Sequence, residues 1–366
     1  MMSQRERYLK TIAFESVDRI PLVEWGVREA TMNAWIEQGY PKGVSTVEYF
    51  HLDDATTGVP ISTFLYPRFE ERVLEQTEEY KIWIDNLGAT RKDFLKDATP
   101  GFVTRSWLRF PVEGRSDFLA IKKRYDAQEP ARYPEDWTIA AEKINQKDAV
   151  THLVIPYLFW TVRDWMGFEN LCMAFYDQQA LVEEMFEFLT DFCIETLKRG
   201  MDKVRVDMVE LKEDMAYKHA PMISPAMFRR FMAPHYRRLI DFLRSYGTRI
   251  VYVDCDGYPG GLIPEWIEVG VDGVSPTEIA AGNDPLQLRR EYPGFAFWGG
   301  VDKRELAKGK ADVYNEVMSK IPQMIDKGGF IPHVDHAIPP DVPLQNYTYF
   351  RELMEMVASG ETPPRV

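Results

Sequence analysis

Five times in the second half of the chain a short apolar run ends in groups that can ionise, donate or ligate. These are Glu210-Leu211-Lys212-Glu213-Asp214, Asp254-Cys255-Asp256-Gly257, Pro276-Thr277-Glu278, Gly299-Gly300-Val301-Asp302-Lys303 and His333-Val334-Asp335-His336. Carboxylates and imidazoles in such clusters move protons or hold a metal ion. Taken singly, each has a plainer reading, because Asp-rich turns cap helices and Gly-Gly makes tight turns. Five in succession point to one rim, since groups just past the carboxyl ends of parallel strands converge where such folds place their active sites.

The elements that must position these groups are legible around them. Strands are expected over 206–211, 249–253, 271–275, 296–299 and 329–332, with amphipathic helices between, the signature of parallel βα units. Ser224-Pro225 is an N-cap followed by Pro at the first helical position, and Gly247, Gly270 and Gly328 close helices. Ser3, with Glu6 at capping-box spacing, opens an amino-terminal helix running to about Phe14. Between Glu71 and Phe94, the alternation of Tyr80, Ile82 and Ile84, broken by Asp85-Asn86-Leu87-Gly88, predicts a β-hairpin. The expectation is an α/β chain folded as a (β/α)8 TIM barrel with an amino-terminal helical and β-hairpin cap. Residues 1–366 form a single domain, with 1–150 supplying the cap and first barrel elements and 151–366 the regular βα units.

Composition narrows the function classes. With 366 residues, 45% of them hydrophobic, the chain can bury a full core, and its formal charge of −13 opposes nucleic acid and anionic membrane surfaces. The amino terminus carries charges where a signal peptide needs an unbroken apolar run, and no segment approaches the length of a membrane span, so a cytoplasmic protein is expected. Cys172, Cys193 and Cys255 are odd in number and widely spread. They offer neither a disulfide framework nor a CxxC zinc site, and any metal must use His and carboxylates with at most one thiolate. No dinucleotide fingerprint or P-loop is present.

The stretches VDCDG (253–257), GGVDKREL (299–306) and GGFIPHVDHAIPPDVP (328–343) resemble the uroporphyrinogen decarboxylase superfamily, and more narrowly its corrinoid-dependent methyltransferase branch. FPVEGRSDF (110–118), ARYPEDW (131–137), MGFENL (166–171) and LKEDMAYKHAPMISPAMF (211–228) are similar to the same branch. The arginine-rich segment with which true uroporphyrinogen decarboxylases hold porphyrinogen carboxylates is reduced here to Arg28, amid Glu24, Trp25 and Glu29, which disfavours a polycarboxylate substrate. In the methylcobamide methyltransferases of the superfamily a His-x-Cys pair and a later Cys hold zinc. By motif position these fall on Asp254, Asp256 and His336, with Glu213 a further candidate ligand and Cys255 a possible soft one.

The resemblance implies a methyltransferase that takes the methyl group of a methoxylated aromatic compound and gives it to the cob(I)alamin of a separate corrinoid protein. Zinc, or an acid such as Asp214 or His333, would engage the ether oxygen. Trp25, Phe64, Trp107, Trp160 and Tyr217 are available to line an aromatic pocket, with Trp25 and Tyr217 the substrate-binding candidates. The partners expected are the corrinoid protein, a small aromatic methyl donor and a second copy of the chain. Two rivals stand beside this reading: a metal-independent decarboxylase of a small carboxylic acid, and a barrel subunit that only docks a corrinoid protein.

Overall fold

The computed structural model describes residues 2–96 and 103–365. Along the chain, β1 (Thr56–Gly58) is followed by β2 (Arg72–Gln76), β3 (Tyr80–Ile84), β4 (Thr90–Phe94) and β5 (Arg105–Arg109), then β6 (Val150–Pro156) and β7 (Met208–Lys212). A two-residue pair, β8 (Ala216–Tyr217) and β9 (Ala220–Pro221), precedes β10 (Ile250–Asp254), β11 (Gly273–Thr277), β12 (Ala296–Val301) and β13 (Phe330–Val334). The main sheet is seven-stranded and parallel, in the order β1-β6-β7-β10-β11-β12-β13. β2 to β5 form a separate antiparallel sheet, with β3 and β4 joined through the turn at 85–88, where Gly88 takes φ +92°.

The five strands expected from sequence all form, each running one or two residues further than the apolar run suggested; β7, β10 and β11 end on polar ladder residues, Lys212, Asp254 and Thr277. β1 and β6 lie outside the strands expected from sequence. β1 has three residues, too few for a period-2 pattern to register.

The sheet curls around an interior. Tyr252 of β10 stacks on Trp298 of β12 with centroids 4.8 Å apart, across the intervening β11. Val150, Met208, Ile250, Ala296, Trp298 and Ile331 share one buried cluster with Tyr8, Leu9 and Ile12 of the amino-terminal helix Gln4–Ile12. Ser3 caps that helix, its side chain accepting from Glu6 N at 3.2 Å. Thr11 O accepts from Gly329 N at 2.6 Å, just ahead of β13, so the helix plugs the end of the interior where the strands begin. Trp298 Nε1 donates to Tyr8 Oη at 2.7 Å inside the plug. Tyr8→Phe should therefore cost about 1–3 kcal/mol in urea unfolding, since it strands a buried N–H; a loss under a few tenths would show that the N–H finds water.

The eighth barrel position departs from the sequence expectation. Among the described residues no eighth ladder strand is present; the stretch 20–27 runs between the sheet edges on isolated bonds. Asp53 N, just before β1, donates to Leu22 O at 2.8 Å. Just after β13, Ile338 N donates to Gly26 O at 3.1 Å, and Val27 forms a lone parallel bridge with Ile338. Pro21 has no N–H to give a ladder, and the side chain of Asp53 takes the Leu22 N–H that a neighbouring strand would otherwise accept, at 2.8 Å.

Candidate functional site

Side chains of a strand alternate between its two faces. On β7, Val209 and Leu211 join the cluster under the helices, so Met208, Glu210 and Lys212 face the interior. On β10 the same alternation sends Val251, Val253 and Cys255 outward and Ile250, Tyr252 and Asp254 inward. Interior groups of the two strands then meet in layers. Tyr252 Oη donates to Glu210 Oε2 at 2.6 Å, His152 of β6 brings Nε2 to 3.3 Å of the same oxygen, and Lys212 Nζ lies 3.2 Å from Asp254 Oδ2.

This arrangement places several carboxylates around one ammonium. Lys212 loses stability as a cation through burial, but Asp254 and Glu210 more than restore it, and its pKa is raised. Glu210 also pays a desolvation penalty, and hydrogen bonds from His152 and Tyr252 outweigh it, keeping Glu210 below the usual range. Asp254 has no such set of donors. Burial first, and then the charge of Glu210, push it up to about 7 against the opposing pull of Lys212. When interacting carboxylates cannot all ionise, the proton settles on the one with the poorest support; here that is Asp254, and Lys212 remains charged.

Above Asp254 the rim continues through Asp256 and His336. His336 Nε2 is 3.5 Å from Asp256 Oδ2, and the Trp25 ring meets the imidazole edge-on, centroids 5.1 Å apart. The hydrogen bond to Asp256 raises the His336 pKa against partial burial. Asp256→Asn should lower that pKa, measurable by NMR titration of the imidazole; an unchanged value would mean that the pair is not formed in solution. Asp214, at φ 41°, accepts from Asp256 N at 3.1 Å and has its pKa raised by burial and by the Asp256 charge. At the far side of the rim, Lys303 Nζ bridges Asp335 Oδ1 at 3.1 Å and Glu278 Oε1 at 3.4 Å.

Below the rim lies a cavity of about 190 Å³, lined among others by Glu24, Trp25, His152, Tyr252 and His333. His333 is fully enclosed. Desolvation drops its pKa to about 4 although its ring Nδ1 lies 2.7 Å from Val334 O, so at neutral pH the imidazole is uncharged. Glu24 Oε1 stands 3.8 Å from that Nδ1, and Tyr347 donates to Glu24 Oε2 at 3.0 Å; burial lifts Glu24 to about 7.

The residues singled out from sequence are therefore divided. Asp214, Asp254, Asp256 and His336 line the mouth, Trp25 packs on His336, and His333 lies deeper. Tyr217 is half-exposed on the β8–β9 turn. Glu213 belongs to the other face: its parity matches Val209 and Leu211, and it is fully buried against the helices. Phe159 N and Trp160 N donate to its Oε2 at 2.7 and 3.1 Å, and Tyr236 donates to Oε1 at 2.6 Å. Cys255 shares that outward face, its thiol pushed up by burial.

Among the described residues no three His, Cys, Asp or Glu side chains converge as a metal ion would require. Both Glu213 oxygens are engaged, Asp254 is bound to Lys212, and only Asp256 and His336 pair directly. As they stand, Glu213, Asp254, Asp256 and His336 do not fit a zinc ion. Trp107 is half-exposed on β5 beside a groove on the antiparallel sheet, whereas Phe64 and Trp160 line a different cavity. His152 and Tyr252 went unnoticed in the sequence, although the alternation Ile250, Tyr252, Asp254 against Val251 and Val253 carries the signal.

A curled parallel sheet, plugged at the start of its strands and lined with coupled ionisable groups at their ends, is the architecture of an α/β enzyme. The uroporphyrinogen decarboxylase (URO-D) family profile matches residues 161–357, more than half of the chain, and the chain belongs to that family. It is 26% identical over 185 residues to the uroporphyrinogen decarboxylases of two Thermus thermophilus strains, covering 50% of this chain and 51% of each relative. The matched part thus spans about half the length of those curated relatives. A methyltransferase from Methanosarcina mazei has a similar structure, with a TM-score of 0.59 over 97% of this chain and 99% of that one. At 14% identity the likeness is one of fold. No helix among the described residues is long and apolar enough to cross a membrane.

Proposed function

We propose that this chain is a corrinoid-dependent methyltransferase that moves a methyl group from an aryl methyl ether to the cob(I)alamin of a separate corrinoid protein, within a TIM-barrel frame whose eighth position is the stretch 20–27. The observation that carries the reading is Asp254, a carboxyl at the mouth that keeps its proton up to about pH 7 beside a charged lysine. An aryl ether is hard to cleave because a phenolate leaves poorly, and an acid at the ether oxygen removes that obstacle. The bond between the methyl carbon and the ether oxygen breaks. Asp254 gives its proton to that oxygen, so the ring leaves as a neutral phenol. The reduced corrinoid supplies the nucleophile that takes the methyl carbon. Lys212 holds the Asp254 carboxylate left behind, Trp25 and His336 border the donor, and the plugged floor keeps bulk water from entering behind it.

The test mixes the protein with a reduced corrinoid protein and a panel of methoxylated aromatics. Methylated corrinoid, read by its absorbance change, should appear together with the free phenol, and only when both partners are present. A second reading is favoured by Lys212 and Lys303, two cations at the mouth that could hold a small carboxylate, with Asp254 protonating the carbanion left by decarboxylation. Carbon dioxide release from a carboxylated substrate without any corrinoid would select it.

A further inference from the structure

A second cavity, of about 170 Å³, lies where the loop after β1, the β3–β4 turn and the helix Leu158–Met166 meet. Its apolar walls are Phe64, Leu87, Trp160 and Trp165. Four oxygen-bearing side chains also line it, of which Thr161 already donates to Pro156 O at 3.2 Å. Thr63 is 3% exposed, and its Oγ1 has no hydrogen-bond partner. Tyr125 accepts from Trp165 Nε1 at 3.1 Å and so presents its own O–H as a donor. Asp164 supplies a carboxyl that burial lifts to about 6.

A buried hydroxyl without a partner costs free energy unless something in the cavity completes it. We propose that this cavity binds a single neutral aromatic ring carrying a hydroxyl or methoxy group, that is, a monocyclic phenol or phenol ether. The size fits, because a hydrophobic cavity of roughly 150 Å³ accommodates one benzene ring. The polarity fits as well: Thr63 and Tyr125 can donate to the substituent oxygen, and Thr63 or Asp164 can accept from a phenolic hydrogen. A positively charged ligand is disfavoured. Arg163 and Lys212 already stand over the Trp160 ring, 4.6 and 4.8 Å from its centroid, and Arg68 also lines the cavity, so an organic cation meets three competitors. A carboxylated ring would face Asp164.

The inference stands on this cavity alone. Binding is measured on the full chain with no corrinoid protein present, and because the barrel mouth is proposed to take a ligand of the same kind, it is the Thr63 and Leu87 variants, both in this cavity, that assign the binding to it. Titration with 2-methoxyphenol, followed by calorimetry and by Trp fluorescence, should saturate. Thr63→Val removes the hydroxyl at constant shape and should weaken binding about 5- to 10-fold, the worth of one hydrogen bond, while leaving the fold intact because an unsatisfied group has been removed. Leu87→Trp should fill the cavity and abolish saturation. Absence of saturable binding, tighter binding of tetramethylammonium or benzoate, or unchanged affinity in either variant would overturn the proposal.

Discussion

Asp254→Asn is expected to lower the methyl-transfer rate by roughly 10²- to 10⁴-fold, the contribution of a positioned general acid. Asparagine keeps the shape and a hydrogen bond to the Lys212 ammonium but has no acidic proton to give. The pH profile should carry the same signature. Asp254 is raised to about 7 by burial and by the Glu210 charge, so the competent protonated form dominates below that pH and is lost above it. The single-turnover rate should therefore fall about tenfold per pH unit on the alkaline side. Glu210→Gln removes the charge that helps to keep Asp254 protonated, and it should move that limb to lower pH. A rate insensitive to Asp254→Asn, or a limb unmoved by Glu210→Gln, would take the acid role away from this carboxyl.

The other large effect is on stability. Glu213 is fully buried, and burial raises it to about 7 against the pull of three hydrogen bonds. The unfolded chain releases this proton near 4.5, the ordinary value for the group, whereas the fold holds it up to about 7. The group's stabilising contribution is thus fully present below about pH 4.5 and is lost as pH rises through 7, on the order of 3 kcal/mol in all. Glu24, raised to about 7 by the same cause, acts in the same direction. Urea unfolding of Glu213→Gln should show a shallower loss of stability between pH 5 and pH 8 than the parent. Glu213→Ala should be destabilised by several kcal/mol at every pH, because Tyr236 and two backbone N–H groups lose their acceptor. Equal pH slopes for the parent and Glu213→Gln would mean that Glu213 is ionised in the fold.

Much of this was written in the residue pattern. The parallel strands announce themselves as apolar runs between capped helices, and the polar clusters at their ends locate the mouth. Glu213 departs from the rim expected of residues that follow an apolar run. Counting by twos from Val209 and Leu211 sends Glu213 to the helix layer and brings Glu210 and Lys212 inside. Tyr252 is masked for the opposite reason: it sits within a strand buried on both faces, where an isolated polar residue does not break the apolar run, and His152 lies in β6, outside the strands expected from sequence. The 20–27 stretch could not be read as an eighth element, since its bonds are made to Asp53 and Ile338, neither of which lies in a ladder strand. The protonation of Asp254 is illegible in sequence for a deeper reason, because it depends on which neighbouring carboxylate receives the better donors.

The seam along 20–27 also sets the order in which the molecule can be completed during synthesis. Thr31 Oγ1 donates to Ile338 O and Trp35 Nε1 to Val342 O, each pair 307 positions apart in the chain. A ribosome must deliver 307 further residues after Thr31 and Trp35 before these contacts exist, and until then the nascent sheet presents two unpaired edges and an unsealed lining of Tyr252 and Trp298. Such late, long-range closure is slow and leaves strand edges available for mispairing. The newborn chain therefore needs shielding most in the interval before residues 338–342 leave the exit tunnel, and slowing translation ahead of them would lengthen that exposure.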